Sequence, residues 1–373
     1  MKTLFRGAVH GVPAADGVLT DGAVIAWVGK GSPPERPDEE IVLDGGELLA
    51  PGFIDLQVNG FRGRDAAEGG DAIAAISAAL PSTGVTAFLP TLISSPVAAG
   101  AEFAGAVATA EELGARVLGA HIEGPFINPS FRGAHDPDLL AVPTTAQVEV
   151  IARAKPRLVT LAPELPGGLE AIVRLRRAGV IVSAGHTGAD FDQGRKAVDA
   201  GVRFGTHVFN AMPPIHHRRP GIALALMLDR RVTVGLIADG EHVHPAVIRE
   251  LLAVKGPARI ALTTDQTAAA GAGAGSFALS GRTVVSDGTV VRLEDGTLAG
   301  SASTMEDLVR RSVAIPGMSL ARVVSMATAV PARVLGEKLL GRIGVGACAD
   351  LVLLDHEQRV RLTMVAGRVR FRR

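Results

Sequence analysis

Apolar, strand-like runs alternate with helical patterns through the middle of the chain. Amphipathic stretches such as 168–179 and 245–255 lie between runs that are rich in Val, Ile, Leu and Ala. This alternation is typical of β/α units in a parallel sheet, and eight units predict an α/β fold, a (β/α)8 barrel of the TIM type. The predicted strands are 52–59, 86–91, 116–123, 157–163, 180–186, 203–207, 232–239 and 259–265.

The two ends of the chain show a different pattern. From Met1 to about Ala50, short apolar stretches are broken by turn sequences such as AADG and LDGG, which favours a small β unit over helices. Near the other end, CADLVLLD and TMVAGRVRF are also strand-like. We therefore expect residues 1–51 and 342–373 to form one small β-sandwich domain together, and residues 52–341 to form the barrel.

Most of the predicted barrel strands end on a polar side chain. In a (β/α)8 barrel the active site lies at the C-terminal ends of the strands. Buried polar groups also cost free energy unless they are paired, so a structural core has little use for a ring of them. The pattern therefore predicts a functional site. The residues concerned are Asn59, Glu123, His186, His207, Asp239 and Asp265.

Three of these residues, Glu123, His186 and His207, offer one carboxylate and two imidazoles from three strand ends. Such a set is typical of catalytic zinc sites that leave one position for water. A metal bound there would lower the pKa of its water to about 7. The alternative for each residue taken alone is a hydrogen-bonded buried side chain, but three at matched strand ends favour a metal.

Two further residues belong to this region. Asp265 ends the eighth predicted strand in LTTDQT, where a carboxylate could carry a proton from water to a leaving group. The alternative for Asp265 is a helix N-cap or a turn residue. His121 shares a strand face with Glu123, and we expect it to lie in the core or behind the ligands.

Three loops after predicted strands carry candidates for substrate binding. Loop 131–137 offers His135, loop 209–221 offers Asn210 and a basic cluster, and His242 follows the seventh strand. Taken alone, the basic HHRR stretch would be an ordinary solvated surface. At the rim of a barrel mouth it would instead suit phosphate, because guanidinium groups bind phosphate oxygens in a bidentate manner.

Composition limits the classes of partner. Lys plus Arg and Asp plus Glu both number 38, and no basic stripe carries interleaved aromatic residues, so we expect no nucleic-acid partner. The first residues lack the apolar core of a signal peptide, and no apolar run approaches the roughly 18 residues of a membrane span. The single cysteine, Cys348, excludes an intrachain disulfide. A small-molecule partner, no membrane and a cytoplasmic location are expected.

The motifs in their order along the chain resemble the amidohydrolase superfamily and, within it, the N-acetylglucosamine-6-phosphate deacetylases. HIEGPF together with THVFNAM is the most specific part of the resemblance, which covers nearly the whole chain. It implies a barrel with a β-sandwich, and hydrolysis of N-acetylglucosamine 6-phosphate to glucosamine 6-phosphate and acetate. The matching segments are LLAPGFIDLQVNG, HIEGPFIN, RGAHDP, GHTGA, THVFNAMPPIHHRRPG, GLIADGEHVHP, TTDQT and GTLAGSASTM.

The resemblance assigns roles residue by residue. It implies one divalent metal ion per subunit, held by Glu123, His186 and His207, with zinc the first choice and iron or cobalt accepting the same ligands. Asp265 would be the general acid and base. In some members two histidines on the first strand hold a second metal. Gln57 and Asn59 stand at those vacated positions in this chain, which implies the single-metal form.

The resemblance also implies a substrate site and a homodimer. Arg218 matches an arginine that reaches the phosphate bound in the neighbouring subunit. The chain departs from the usual pattern at Gly188, Arg219 and Gln266, none of which removes a ligand or the base. The residues assigned to the substrate are Ala134, His135, Asn210, Ala211, Arg218, His242, Leu298, Ala299 and Gly300.

Two alternatives stay open on the sequence. The first is another amidohydrolase-fold enzyme, such as an N-acetylgalactosamine-6-phosphate deacetylase, a cyclic amidase or a deaminase. The second is a degenerate barrel that binds a sugar phosphate without catalysis. The missing first-strand histidine pair favours the degenerate barrel, whereas the three remaining ligands and Asp265 speak against it.

Overall fold

Strands dominate both ends of the chain, and strands alternate with helices between them, as the sequence pattern predicts. The structure is a computed structural model that describes residues 1–373. The strands are β1 (Lys2–Arg6), β2 (Ala8–Val9), β3 (Gly17–Asp21), β4 (Val24–Gly29), β5 (Glu39–Val42), β6 (Leu48–Pro51), β7 (Phe53–Val58), β8 (Gly60–Phe61), β9 (Arg64–Asp65), β10 (Val85–Leu92), β11 (Arg116–Val117), β12 (His121–Glu123), β13 (Leu158–Leu161), β14 (Ile181–Ala184), β15 (Phe204–Gly205), β16 (Thr233–Leu236), β17 (Ile260–Leu262), β18 (Ala274–Leu279), β19 (Arg282–Asp287), β20 (Val290–Arg292), β21 (Leu298–Ser301), β22 (Leu351–Leu354), β23 (Val360–Val365) and β24 (Arg368–Arg372). The α-helices are α1 (Gly70–Ala79), α2 (Val97–Thr109), α3 (Thr145–Ala154), α4 (Gly168–Arg177), α5 (Phe191–Ala200), α6 (Gly221–Leu228), α7 (Pro245–Lys255), α8 (Met305–Val313), α9 (Leu320–Ala327) and α10 (Ala329–Leu335).

The eight predicted parallel strands form a barrel in chain order, which confirms the (β/α)8 fold. The neighbours are β7, β10, β12, β13, β14, β15, β16 and β17, all paired in parallel register. All eight residues of β10 are buried, as expected for strands covered on both faces. The third predicted strand is divided into β11 and β12 around Gly119, whose φ of 117° leaves the extended region.

The seam between the first and eighth strands is closed by side chains. Asp55 of β7 accepts hydrogen bonds from Thr263 Oγ1 at 3.2 Å, from Thr264 N at 3.2 Å and from Thr264 Oγ1 at 2.5 Å. Further along, the carbonyl of Gln266 accepts from Asn59 N at 2.9 Å. Asp55 is fully buried, and burial raises the pKa of its carboxyl group to about 6.

Both helices singled out in the sequence are present. Stretch 168–179 forms α4, and stretch 245–255 forms α7, whose first residue is Pro245. Proline suits that position because it lacks only an N–H that the helix would leave unpaired. None of the ten helices combines the length and apolar character that a membrane crossing requires.

The two ends of the chain build the small sandwich together, as predicted. One sheet has the order β4, β3, β1, β5, and the other joins β2 and β6 from the first part of the chain to β22, β23 and β24. Strands β6 and β22 pair antiparallel. Phe5, Val18, Ile25, Leu351 and Met364 belong to one buried apolar cluster between the sheets.

A separate antiparallel sheet of β18 to β21 follows the last barrel strand. Its inner residues Leu279, Val284 and Val291 share an apolar cluster with Ile93 and Ala134, which lie in loops after the second and third barrel strands. The sheet therefore packs on the loops at the C-terminal end of the barrel.

Candidate active site and metal centre

A cavity of about 350 Å³ lies at the C-terminal ends of the barrel strands. Its volume falls in the range of small-molecule sites. The structure brings most of the residues assigned to the metal positions, the base and the substrate to this cavity, and leaves Gln57, Arg218 and Ala299 outside its lining. The lining includes Asn59, Glu123, Ala134, His135, His186, His207, Asn210, Ala211, His242, Asp265, Leu298 and Gly300.

Glu123, His186 and His207 converge on one point at the base of this cavity. The Nε2 atoms of His186 and His207 lie 3.1 Å apart, and they lie 3.3 and 3.0 Å from Oε1 of Glu123. Ligand atoms about 2.0 Å from a tetrahedral zinc ion lie roughly 3.3 Å from one another. The three side chains therefore have the spacing of a set of ligands around one ion.

The electrostatics of this cluster also suit a cation. Burial opposes ionisation of Glu123, but hydrogen bonds from His186 and His207 outweigh it and hold the pKa of Glu123 well below its usual value. Burial lowers the pKa of His207, yet the nearby Glu123 carboxylate more than offsets this and raises it to about 9. Both shifts favour an ionised Glu123 with a positive charge beside it. A bound divalent ion would supply that charge.

The backbone around these side chains adopts an uncommon conformation. His186, His207 and Asp265 lie two or three residues beyond the ends of β14, β15 and β17 and have φ values of 49°, 27° and 49°. Left-handed backbone at residues other than glycine costs free energy and is concentrated at functional sites. Here it turns each side chain from the strand end into the cavity.

His186 is oriented by a second contact. Its Nδ1 atom lies 2.9 Å from the carbonyl oxygen of Phe131. Because a carbonyl only accepts hydrogen bonds, Nδ1 is the donor in this contact, which orients the ring so that Nε2 faces the cluster. A metal ligand with its other ring nitrogen bonded to a carbonyl is the arrangement expected at a metal centre.

Two amides of β7 and the residue after it donate to the carboxylates of the site. Gln57 Nε2 donates to Glu123 Oε2 at 3.0 Å, and Asn59 Nδ2 donates to Asp265 Oδ1 at 2.7 Å. Burial and the charge of Glu123 raise the pKa of Asp265 to about 6, although Asn59 partly opposes this shift. A carboxyl group with such a pKa is suited to proton exchange near neutral pH.

His135 presents one N–H to the cavity. Ser94 N donates to His135 Nδ1 at 3.1 Å, and Ser94 Oγ lies 2.7 Å from the same atom. Nδ1 is therefore the acceptor and Nε2 carries the proton, 3.9 Å from Glu123 Oε2. Burial and His186 keep the pKa of His135 well below its usual value, so the ring is neutral.

Ala211 and His242, which also line the cavity, carry groups that could bind an anion. The backbone N–H of Ala211 makes no hydrogen bond within the chain. His242 Nδ1 lies 2.7 Å from Asp239 Oδ2, so that its Nε2 atom is left for a ligand. Asp239 also accepts from the backbone N–H groups of Glu241 and His242, which fixes this loop.

The sequence matches the Amidohydrolase family model over residues 48–370. The chain belongs to the amidohydrolase family. It is 38% identical to the N-acetylglucosamine-6-phosphate deacetylase of Bos taurus over 94% of this chain and 93% of the relative. It is 36% identical to the N-acetylgalactosamine-6-phosphate deacetylase of Escherichia coli O157:H7, over 87% and 88%. An Asp-to-Ala mutant of the Mycobacterium smegmatis N-acetyl-D-glucosamine-6-phosphate deacetylase, solved with N-acetyl-D-glucosamine-6-phosphate, superposes with a TM-score of 0.91 at 34% identity over 99% of both chains.

In this amidohydrolase, His121 lies among hydroxyl groups inside the barrel and does not join the metal cluster. Its Nε2 atom lies 2.8 Å from Thr160 Oγ1, which in turn lies 2.7 Å from Thr206 Oγ1. Burial lowers the pKa of His121 to about 4. This is the core position behind the ligands that the sequence predicts.

Two residues assigned to the substrate lie elsewhere. Ala299 is fully buried in the apolar cluster of the sheet β18 to β21, so only its neighbours Leu298 and Gly300 reach the cavity. Arg218 is exposed and lines a second cavity of about 600 Å³ together with Asp190, His216 and Arg219. Arg218 therefore does not contact the substrate cavity of its own chain.

The three departures from the family pattern have different structural settings. Gln266 is buried, and its side chain donates to the carbonyl of Gly60 at 3.2 Å, so it helps to close the barrel seam. At Gly188, a Cβ atom would come within 2.8 Å of the Phe131 ring, so glycine lets that ring pack. Arg219 is exposed on the loop that carries Arg218.

Sequence reasoning missed several residues that shape the site. Ser94, which fixes the tautomer of His135, follows the second barrel strand, and its position after a strand end was the signal that could have found it. Phe131 acts through its backbone carbonyl, which binds His186 Nδ1, and Glu164 acts through hydrogen bonds to loop residues such as Gly188. Contacts of that kind cannot be predicted from a residue pattern.

Proposed function

We propose that the roles of the cavity residues follow from one reaction, the removal of the acetyl group from N-acetylglucosamine 6-phosphate. The enzyme hydrolyses the acetamide to give glucosamine 6-phosphate and acetate. The observation that carries this conclusion is the single cavity that joins the three-ligand cluster, Asp265 and His135 to an anion-binding wall. Curated relatives with this activity cover most of the chain, which supports the same reaction here.

Glu123, His186 and His207 would hold one divalent ion. Such an ion lowers the pKa of water that it binds and polarises a carbonyl group. We propose zinc, because one carboxylate and two imidazoles with an open fourth position are typical of catalytic zinc sites, although iron and cobalt accept the same ligands.

Asp265 acts as the general base and then as the general acid. Its Oδ1 atom is held by Asn59, which leaves Oδ2 for proton transfer. Asp265 accepts a proton from the attacking water as the new C–O bond forms. It then donates this proton to the amide nitrogen as the C–N bond breaks, and the products are a free amine and acetate. With its pKa raised to about 6, Asp265 is suited to both steps near neutral pH.

His135 would stabilise the charge that develops on the acetyl oxygen. Its Nε2–H group points into the cavity because Ser94 occupies Nδ1. A fixed donor at this point costs no reorganisation during the reaction and is worth most where water is excluded. His135 is buried, which supports this role.

The sugar phosphate would bind to other residues of the cavity lining. The unpaired N–H of Ala211, the side chain of Asn210 and Nε2 of His242 are the groups proposed to meet the phosphate. Ala134, Leu298 and Gly300 line the space for the sugar ring. Ala299 would contribute only by fixing its two neighbours.

Gln57 and Asn59 are proposed to make this a single-metal enzyme. An amide nitrogen that donates to a carboxylate occupies the oxygen that a second cation would need. The neutral amides also lack the imidazole nitrogen that binds such a cation in the two-metal form.

We extend the proposal to assembly, location and domain limits. Arg218 makes no ion pair within its chain and is exposed, which suits a homodimer in which it reaches the phosphate in the partner subunit. The cytoplasm is proposed because a sugar phosphate does not cross membranes freely. The division into a sandwich of residues 1–51 and 342–373 and a barrel of residues 52–341 is also part of the proposal.

The reaction is tested by measuring amine and acetate release from N-acetylglucosamine 6-phosphate with metal-replete protein. Unphosphorylated N-acetylglucosamine and N-acetylgalactosamine 6-phosphate serve as comparisons. We expect turnover of the phosphorylated gluco sugar, with little turnover of the unphosphorylated one. Faster turnover of the galacto epimer would assign the activity of the Escherichia coli relative instead. Binding of metal and sugar without turnover of any substrate would support a binding barrel.

A further inference from the structure

Glu164 joins two loops of the active site that belong to different barrel strands. Its Oε1 atom accepts from Asn128 Nδ2 at 2.9 Å and from Gly188 N at 2.6 Å, and its Oε2 atom accepts from Thr187 Oγ1 at 2.5 Å. Asn128 lies in the loop after β12, and Thr187 and Gly188 follow β14. One half-buried carboxylate therefore ties both loops to the end of β13.

The loop after β12 is the one that orients His186. Asn128 N donates to the carbonyl of His186 at 2.9 Å, and Phe131 N donates back to the carbonyl of Asn128 at 2.9 Å. The carbonyl of Phe131 then accepts from His186 Nδ1. The position of that carbonyl depends on where Asn128 is held, and Glu164 is the group that holds the Asn128 side chain.

Gly188 packs against the loop after β12. A Cβ atom at Gly188 would lie 2.8 Å from the Phe131 ring and 3.0 Å from Asn128 Nδ2. The two loops are therefore in contact at the point where Glu164 binds both. This contact explains why position 188 is glycine in this chain.

We propose that Glu164 is a positioning residue for the metal ligand His186. The carboxylate fixes Asn128 and the turn after His186, so that the Phe131 carbonyl holds Nδ1–H and leaves Nε2 aimed at Glu123 and His207. All three of its hydrogen-bond donors are neutral groups, so the contacts specify position and do not neutralise charge. The inference rests on the proposed metal centre, and it adds a residue outside the ligand set.

The test is the affinity of the full-length protein for Zn²⁺, measured by competition with a chromophoric chelator. Glu164→Gln replaces one acceptor oxygen with an NH₂ group, which cannot accept the hydrogen bonds that Asn128, Thr187 and Gly188 donate. Loss of a contact behind a metal ligand typically weakens metal binding about 10- to 100-fold, and we expect a change of that size. Glu170→Gln, on the exposed first turn of α4, is the matched control and should bind Zn²⁺ like the unaltered protein.

Two observations separate positioning from general destabilisation. The melting temperature of metal-free Glu164→Gln should stay within about 5 °C of the unaltered protein, because the change affects contacts between loops and leaves the apolar core intact. The visible spectrum of bound Co²⁺, which reports ligand geometry, should shift in this variant and not in the control. Unchanged Zn²⁺ affinity in folded Glu164→Gln would overturn the inference. Absence of Zn²⁺ binding by the unaltered protein would overturn both the inference and the proposed metal centre.

Smaller changes keep the inference testable if Glu164→Gln does not fold. Thr187→Val removes one of the three donors and should weaken Zn²⁺ binding about threefold to tenfold. Gly188→Ala should act in the same direction by displacing the Phe131 ring. Gly105→Ala, where a Cβ atom meets nothing within 4 Å, is its control. Zn²⁺ affinities equal to that of the unaltered protein in both Thr187→Val and Gly188→Ala would overturn the inference.

Discussion

The amide nitrogen of Asn59 lies 2.7 Å from Oδ1 of Asp265, although the two residues are 206 positions apart in the chain. The contact crosses the seam between the first and eighth barrel strands. An equivalent contact joins Gln57 to Glu123 at 3.0 Å. One oxygen of Glu123 and one oxygen of Asp265 therefore each accept a hydrogen bond from an amide in or just after the first strand. The other oxygen of each carboxylate is left for the proposed metal binding or proton transfer.

Asn59→Leu should lower kcat about 10- to 100-fold, because a hydrogen bond to a charged group is worth about 1.5–3 kcal/mol. Metal content should stay at one ion per chain, since Asn59 does not contact the three ligands. Steady-state kinetics and elemental analysis of the same preparation check this. A kcat equal to that of the unaltered enzyme would show that Asp265 does not need Asn59.

Asp265→Asn should reduce turnover at least about 10²- to 10⁴-fold, since an amide cannot shuttle the proton. The change is nearly isosteric, and Asp265 is not part of the ligand cluster, so the variant should keep its metal. Product release and metal content are measured together. Full activity in a folded, metal-replete variant would exclude Asp265 as the general acid and base.

His135→Phe should lower kcat about 10²- to 10³-fold, the usual effect of removing an oxyanion donor. Ser94→Ala should cost about tenfold or less, because Ser94 N still donates to His135 Nδ1 and preserves the tautomer. The comparison of the two kcat values checks the argument. Equal losses would mean that the Ser94 hydroxyl has a role of its own.

The clustering of Glu123, His186 and His207 and the nearby position of Asp265 could be predicted because each residue ends a predicted strand, and parallel strands bring such ends together. The seam could not be predicted in the same way. Asp55 acts there through Thr263 and Thr264, some 208 positions away, and a buried carboxylate in an apolar run has no local signature. The left-handed backbone at His186 could not be predicted either, because such backbone is uncommon in any residue other than glycine.

Residue type alone does not predict which loop residues reach the cavity. Arg218 and His242 are candidates on similar grounds, as basic residues after a strand. His242 reaches the cavity because Asp239 holds its ring, whereas Arg218 lies on a longer loop that leads away from it. Similarly, Glu164 has no feature in the sequence that separates it from an exposed glutamate, because its three donors come from two distant loops.

Asp55→Asn should change how stability depends on pH. The pKa of Asp55 is about 6 in the folded protein, against an ordinary value of 3.8 for an aspartate in an unfolded chain, so the folded state binds the proton more tightly. Its contribution to stability is therefore present below about pH 4 and is lost as pH rises through 6. The difference is about 3 kcal/mol at most, since one pKa unit corresponds to about 1.4 kcal/mol.

The measurement is the melting temperature of Asp55→Asn relative to the unaltered protein, both free of metal, at pH 5 and pH 7.5. The variant cannot ionise at this position, so its relative melting temperature should rise by a few degrees across this interval. Using the difference between two proteins cancels the other titrating groups, which they share. A constant difference, or one that falls with pH, would contradict a raised pKa at Asp55.

Asp239→Asn should raise KM for N-acetylglucosamine 6-phosphate about tenfold with a smaller change in kcat. The charge-assisted hydrogen bond from His242 Nδ1 to Asp239 at 2.7 Å aims Nε2 at the proposed phosphate position, and a neutral amide holds the ring less firmly. The role proposed for His242 is phosphate binding, so KM should change more than kcat. Glu241→Gln is the matched control, because Glu241 is an exposed neighbour in the same loop and should leave KM unchanged. A fall in kcat at constant KM would instead place the Asp239–His242 pair in the chemical step.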